Sequence, residues 1–331
     1  MNLYYEQPPY RPPTEAYSLL VRATRNCSWN RCEFCSMYTG AKLELRPVED
    51  VKNDIRAMKI VTDEVKEWAW KNGHGDRVGM VARANGLHWL DNEGEVKHAF
   101  IADSNSVIMK SEELAEIVRF LYQTFPTLER VTSYARAKTL VKKSMEDLTM
   151  LREAGLNRLH VGLETGDGEL LRIIQKGATP DEMILGGQKA LQAGFELSEY
   201  IMPGLGGQEK WEQHARGTAR VLNAINPHFI RLRTLYVVPG TPLAERYERG
   251  EFSRQTVEGL LREVRLLIEE LEVSSDFVVS DHIANRYMWG IDGKPSLDRE
   301  RMLTAVDSLI ADTRESDEKY PVYNKLIYGR L

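Results

Sequence analysis

Cys27, Cys32 and Cys35 are the only cysteines among 331 residues, and they stand close together in Arg25-Asn-Cys-Ser-Trp-Asn-Arg-Cys-Glu-Phe-Cys35. A C-x4-C-x2-C run of this kind gathers soft thiolate ligands for a metal ion or an iron–sulfur cluster. Four chemistries compete for it. Structural zinc wants four closed ligands and would have to recruit a distant histidine. Plant-type [2Fe–2S] centres share the spacing but need a fourth cysteine. Three buried thiols suit poorly a loop that holds Arg25, Asn26, Asn30, Arg31 and Glu33. A [4Fe–4S] cluster on three cysteines, with one iron open to a small molecule, best accounts for the ligand count and the polar loop.

Such a loop needs a scaffold, and the chain has the material for one. Hydrophobic residues make up 42% of it and charged residues 28%, with a formal net charge of −5, so no general nucleic-acid surface is expected. No apolar run reaches the ~18–20 residues that span a bilayer, so no membrane role is expected. The proline- and tyrosine-rich start has no signal-peptide core, and the odd, clustered cysteines argue against a secreted disulfide framework. A cytoplasmic, oxygen-sensitive protein is expected.

Residues 1–16 read as an extended arm, because repeated prolines forbid helix. Strand patterns follow at 19–24, 100–103, 130–135, 157–163, 197–201 and 228–237. Helical patterns lie between them at 47–65, 111–124, 144–154, 169–174 and 180–193. Residues 75–97 break the rhythm and read as an irregular insertion or a small β-excursion. From Pro242 the pattern turns helical, at 256–272 and 298–312, around a loop containing Asp281, His282 and Asn285. Alternating strands and helices imply βαβ units and a parallel sheet. Six units suit a partial barrel at least as well as an open doubly wound sheet.

Strand alternation sorts the side chains. In 230–234, Ile230, Leu232 and Thr234 share one face, so Arg231 and Arg233 should turn into the barrel as candidate ligands for an anionic substrate. A buried ion-pair network is the competing account. In 159–164 the same rule sends His160, Gly162 and Glu164 inward, and in 131–136 it sends Tyr134 and Arg136 inward. Glu199 shares a face with Leu197 and Ile201 and cannot be placed. Tyr134, His160 and His282 are the catalytic candidates.

With Phe34 before the last cysteine, the motif resembles the radical S-adenosylmethionine (SAM) superfamily signature, with one extra residue between the first two cysteines. Phe100-Ile-Ala-Asp-Ser-Asn105, Gly155-Leu-Asn-Arg-Leu-His-Val-Gly-Leu-Glu-Thr-Gly166, Lys176-Gly177 and Tyr200-Ile-Met-Pro-Gly-Leu-Gly-Gly207 are similar to its oxygen-independent coproporphyrinogen oxidase-like and Elp3/MiaB-like branch. The resemblance implies an α/β fold, a partial (β/α)6 TIM-like barrel over residues 17–243 with a mainly helical extension over 244–331. It implies a [4Fe–4S] cluster on Cys27, Cys32 and Cys35, and SAM on its open iron. Reductive cleavage would then give a 5′-deoxyadenosyl radical that abstracts substrate hydrogen, with flavodoxin or ferredoxin as electron donor.

The same resemblance implies that Asp103, Ser104 and Asn105 meet the SAM amino group, Glu164 the ribose or ammonium, and Lys176 the carboxylate. Gly204 and Gly206 would allow close approach of adenine, and Phe34, Arg136 and Tyr236 complete the cofactor set. With every cysteine in one cluster, no auxiliary cysteine-ligated cluster can form. Methylthiolation and sulfur insertion are disfavoured, and with no cobalamin domain before the cysteines so is cobalamin-dependent methylation. A non-catalytic cluster or haem carrier on the same fold is the alternative.

Overall fold

The computed structural model describes residues 4–319. Seven strands form one sheet in sequential order: β1 (Leu19–Arg22), β2 (His98–Ala102), β3 (Arg130–Ala135), β4 (Leu156–Glu164), β5 (Glu196–Ile201), β6 (Phe229–Leu232) and β7 (Asp276–Val278). β1 pairs parallel with β2, and β2 with β3, Leu19 standing opposite Ala99 and His98 opposite Arg130. β5 pairs parallel with β6, and β6 with β7, Ser198 opposite Phe229 and Phe229 opposite Asp276. Phe100, Ile101, Leu159 and Leu163 lie on them without solvent contact, as expected of parallel strands covered on both faces, while β3, β4 and β5 also bury polar groups, among them Ser133, His160 and Glu199. This is the α/β, partial TIM-like architecture that the sequence implies.

The helices are α1 (Val48–Lys71), α2 (Val78–Ala84), α3 (Ser111–Thr124), α4 (Ala137–Lys142), α5 (Met145–Glu153), α6 (Gly168–Ile173), α7 (Pro180–Gln192), α8 (Trp211–Ile225), α9 (Pro242–Glu248), α10 (Val257–Glu270) and α11 (Pro295–Lys319). Local chemistry sets several of their starts: Ser144 and Asp147 close a capping box on α5, and the Thr241 and Thr256 hydroxyls cap α9 and α10. No helix among the described residues is long and apolar enough to cross a membrane.

The structure departs from the sequence expectations at five places. The arm, expected to be extended, ends in a 3-10 turn, Pro13–Glu15, because proline is tolerated at the first position of a helical turn. Residues 75–97 contain a 3-10 turn, Gly75–Arg77, and α2, with no strand. Helix α8 stands where no helix is expected, although Ala215, Thr218, Ala219, Leu222 and Ile225 repeat at helical spacing along its buried face. The sixth strand ends at Leu232, because the amides beyond it leave the ladder: Thr234 N donates to Asn285 Oδ1 (3.1 Å) and Leu235 N to Pro203 O (2.9 Å). The seventh strand, β7, is three residues long, too short for alternation to reveal.

The chain divides into two compact units. The first comprises the residues up to Ser28, Gly40–His160 and Lys189–Glu196; the second comprises Trp29–Thr39, Val161–Gln188 and the residues from Leu197 on. In the first, α3 packs against α1 and α5. In the second, α10 packs against α8 and α11. Cys27 belongs to the first unit, Cys32 and Cys35 to the second.

Candidate functional site

In the first unit, the stem of the cysteine loop leaves β1 through Thr24–Arg25, which pairs antiparallel with Glu44–Leu45. Asn26 then takes a left-handed φ of 69°, tolerable for asparagine, immediately before Cys27. The loop after β2 holds this stem. Asp103 Oδ2 accepts from Asn26 N (3.1 Å) and from Arg22 Nε (2.8 Å), and the Ser104 hydroxyl donates to Asn26 O (3.2 Å). Asn105 is 1% exposed and donates to the hydroxyls of Ser28 (3.0 Å) and Thr139 (2.9 Å), while its Oδ1 accepts from Arg136 N (3.1 Å). Asp103, Ser104 and Asn105, expected on the SAM amino group, hold the backbone and hydroxyls of the segment that carries Cys27. Arg136 sits at the N-cap of α4.

The arm is fastened at two points. Glu6 bonds Arg22 (2.8 Å) and Arg25 (2.7 Å), whose charge holds its carboxyl below the usual range against burial. Glu15 is fully buried with His160 Nε2 at 3.3 Å. Burial pushes the Glu15 carboxyl up, but the bonds from His160 and Ser18 and the charge of Arg130 outweigh it and leave it low. The Tyr134 ring stands 5.9 Å from that of His160 and edge-on to Phe100 at 5.1 Å. His160, a catalytic candidate by sequence, thus serves as the partner of a buried carboxylate, because a buried charge needs one.

In the second unit the loop is woven into the chain that follows β4. Asn30 kinks it with a φ of 52° and donates its amide to Tyr38 O, and Cys35 N closes a turn on Cys32 O (3.1 Å). Glu33 N donates to Ile174 O (2.9 Å), Leu243 N to Glu33 O (3.0 Å), and the Glu33 carboxylate accepts from Arg246 (3.2 Å). Phe34, expected on the cofactor, packs against the cluster of Leu170, Ile174, Leu205, Leu235, Leu243 and Phe252, because an aromatic ring gains most where apolar neighbours surround it.

At the end of β4, Lys176 Nζ meets Glu164 Oε1 at 2.7 Å, and the pair lies over Gly162, where a Cβ would come within 2.4 Å of that oxygen. Nearby in charge is Glu199, the residue alternation cannot place. It is 1% exposed; burial pushes its carboxyl up to about 8, Lys176 drawing it down and Glu164 adding to the rise. Its Oε2 has no hydrogen-bond partner among the described residues. Its strand, Glu-Leu-Ser-Glu-Tyr-Ile, already carries Glu196 and Ser198, so no sequence pattern singles Glu199 out.

Gly204 and Gly206, expected beside adenine, are closely packed on the side that a Cβ would occupy. Gly204, at φ +87°, donates its N–H to Glu263 Oε1 (2.9 Å), and a Cβ there would stand 2.8 Å from Leu260. At Gly206 a Cβ would stand 2.7 Å from Lys210 O. Glu263 and His214 form a buried hub that no sequence pattern discloses. His214 Nε2 lies 3.1 Å from Met202 O and 3.3 Å from Glu263, and Nδ1 lies 2.7 Å from the Thr165 hydroxyl. Burial pushes Glu263 up to about 8 and His214 down to about 4.

Arg231 and Arg233 come together on Asp281. Arg231 Nη1 reaches Oδ2 at 2.6 Å, and Arg233 reaches Oδ1 at 2.7 Å and Oδ2 at 3.2 Å. Arg231 also donates to Ser198 Oγ (3.1 Å), and Arg233 lies 4.7 Å over the Tyr200 ring. Burial pushes Asp281 up, but Arg233 and Arg231 hold it below the usual range. His282 caps the turn Ile283–Met288, its Nδ1 accepting from Ala284 N (3.1 Å), and burial and Arg233 lower its pKa. Asn285, fully buried, ties this segment to β6. Tyr236 is half-buried in the run after β6.

Residues 21–216 match the radical SAM superfamily. The chain belongs to the radical SAM superfamily. Its cofactors are therefore a [4Fe–4S] cluster and SAM. The residues fit both groups. For the cluster the chain offers three cysteine thiols, none of them in a disulfide, the soft donors that iron–sulfur clusters take. The unmet oxygen of buried Glu199, beside a lysine and a second carboxylate, suits a zwitterionic amino acid carrying a ribose.

Among this radical SAM protein's relatives is the haem chaperone HemW of Bacillus subtilis, 24% identical over 205 residues, covering 61% of this chain and 53% of the relative. The tRNA uridine(34) acetyltransferase of Methanocaldococcus jannaschii is 24% identical over 109 residues, 32% of this chain and 20% of the relative. The chain thus spans about half the length of the first and a fifth of the second. The structure of coproporphyrinogen III oxidase (HemN) from Escherichia coli, described as a radical SAM enzyme, shares the fold with a TM-score of 0.50 at 15% identity, over 76% of this chain and 51% of that one.

Proposed function

We propose that this protein is a radical SAM enzyme acting on an anionic small molecule. The observation that carries the reading is the Lys176–Glu164 pair at 2.7 Å beside buried Glu199, whose second oxygen is unmet. When bound, the reduced cluster and SAM supply a 5′-deoxyadenosyl radical that takes hydrogen from the substrate. Lys176 would hold the SAM carboxylate, and Glu164 and Glu199 its ammonium and ribose hydroxyls. Glu199, neutral below about pH 8, could donate as well as accept a hydrogen bond. Cys27, Cys32 and Cys35 would hold the cluster, with Asp103 and Asn105 fixing the stem of their loop. Arg231 and Arg233 set two positive charges against the single negative charge of Asp281, and the remaining charge supports an anionic substrate. Oxidative decarboxylation, epimerisation, rearrangement or dehydrogenation would suit the single cluster. Flavodoxin or ferredoxin as donor, and a cytoplasmic setting, belong to the same reading.

The match to a haem chaperone favours a second reading, a haem or cluster carrier. One experiment separates the two. The protein is reconstituted anaerobically, reduced and given SAM, and 5′-deoxyadenosine is measured; the same preparation is titrated with haem. SAM cleavage without stoichiometric haem binding supports the enzyme. Tight 1:1 haem binding by a fully loaded protein that makes no 5′-deoxyadenosine supports the carrier.

A further inference from the structure

The extra residue in the first cysteine spacing lengthens a segment, Cys27-Ser-Trp-Asn-Arg-Cys32, whose tryptophan has a defined seat. Trp29 donates its indole N–H to Gln175 O at 2.6 Å. Its ring lies against Gly177, where a Cβ would fall 2.4 Å from two ring atoms. The Arg31 guanidinium covers the ring at 5.1 Å. Gln175 and Gly177 both have left-handed backbones, φ 53° and 74°, and Lys176 stands between them with 9% exposure. Glutamine disfavours that conformation, so the turn persists only where neighbours hold it. A lysine side chain, with four rotatable bonds, keeps its direction only if its backbone is fixed. The cysteine loop grips this turn through Trp29, through the Glu33 N–H to Ile174 O bond (2.9 Å) and through the Glu33 carboxylate, which accepts from Gln175 Nε2 (3.2 Å).

We propose that Trp29 is a positioning residue: it braces the Gln175–Gly177 turn so that Lys176 stays aimed at Glu164, and so couples the loaded cysteine loop to SAM binding. The proposal rests on the reading of Lys176 and Glu164 as SAM contacts. The reciprocal expectation is that the lengthened cysteine spacing and a glycine at 177 are needed together, since any side chain there would displace the indole.

The test uses the full chain, anaerobically reconstituted, as wild type, Trp29→Ala, Trp29→Phe, Gly177→Ala and Lys176→Ala. Iron content, SAM affinity by equilibrium dialysis, and hydrogen exchange of the 175–177 amides before reconstitution are measured. Trp29→Ala should keep its iron while SAM affinity falls about tenfold, the scale of one lost charge-assisted contact. Its turn amides should exchange faster, and Gly177→Ala should behave likewise. Trp29→Phe, which keeps a ring and loses the N–H, should lie between. SAM affinity within twofold of wild type in an iron-loaded Trp29→Ala protein overturns the proposal. Failure of that variant to take up iron also overturns it, by assigning Trp29 to loop assembly. If Lys176→Ala binds SAM as wild type does, the assignment of the lysine fails instead, and the exchange rates alone then decide whether Trp29 braces the turn.

Discussion

Removing the Asn285 side chain should release the segment that presents Asp281 to the two arginines. Asn285 has no solvent contact and makes four hydrogen bonds. Its amide donates to Leu232 O (2.8 Å) and Val279 O (3.0 Å), and its Oδ1 accepts from Thr234 N (3.1 Å) and the Thr234 hydroxyl (2.9 Å). Asn285→Ala strands three backbone groups, each costing about 1–3 kcal/mol if it stays dry. The sum, about 3–9 kcal/mol, is capped near its lower end by the free energy of opening the segment locally, after which water satisfies those groups. Urea denaturation should show a loss of about 3 kcal/mol, and the amides of Val279, Ser280 and Asn285 should lose exchange protection. Asn285→Asp keeps the acceptor and loses both donors, so it should be as damaging at neutral pH and partly recover in acid, when a carboxyl proton can donate. A loss below about 1 kcal/mol with unchanged protection of those amides would refute this account of the segment.

Glu199 and Glu263, both raised to about 8, bind their protons more tightly in the folded state, so stability should fall as pH climbs from about 5 to 8, by up to ~1.4 kcal/mol per pH unit for each. Urea midpoints across that range should fall less steeply in Glu263→Gln; an unchanged slope would mean Glu263 is already ionised. His214, lowered to about 4, works in the opposite sense: its contribution is complete above the usual histidine range and disappears as pH falls toward 4. His160→Ala should lower unfolding free energy by about 1–3 kcal/mol by leaving buried Glu15 to Ser18 and Arg130 alone, yet leave SAM affinity within twofold. A large change in affinity there would restore His160 as a site residue. Cys32→Ser, reconstituted as wild type, should lose the broad visible absorbance of the cluster; retention would remove Cys32 from the ligand set.

Much of the scaffold is legible without coordinates, because parallel strands buried on both faces must be apolar and short. The first five strands stand within a few residues of their sequence positions. Alternation also anticipates that Arg231 and Arg233 share a face, since their common partner Asp281 requires it. Legibility fails where structure depends on partners distant in sequence. Nothing near residue 199 announces a neutral carboxyl, and nothing near 263 announces that its side chain caps a glycine 59 residues earlier.

The sequence by itself pointed to the chemistry: three cysteines and no fourth, on a loop following a strand, are the donor set expected of a cluster with one iron open. It also determined the fold class, since periodicity is a local property of each segment. Only the tertiary structure decided which charged groups are spoken for. Asp103 turns to the stem of the cysteine loop, His160 to Glu15, and Arg231 and Arg233 to Asp281, while Glu199 is left with an unmet oxygen. The reason is physical: a charge removed from water takes the nearest counter-charge, and that neighbour is set by packing across the fold rather than by spacing along the chain.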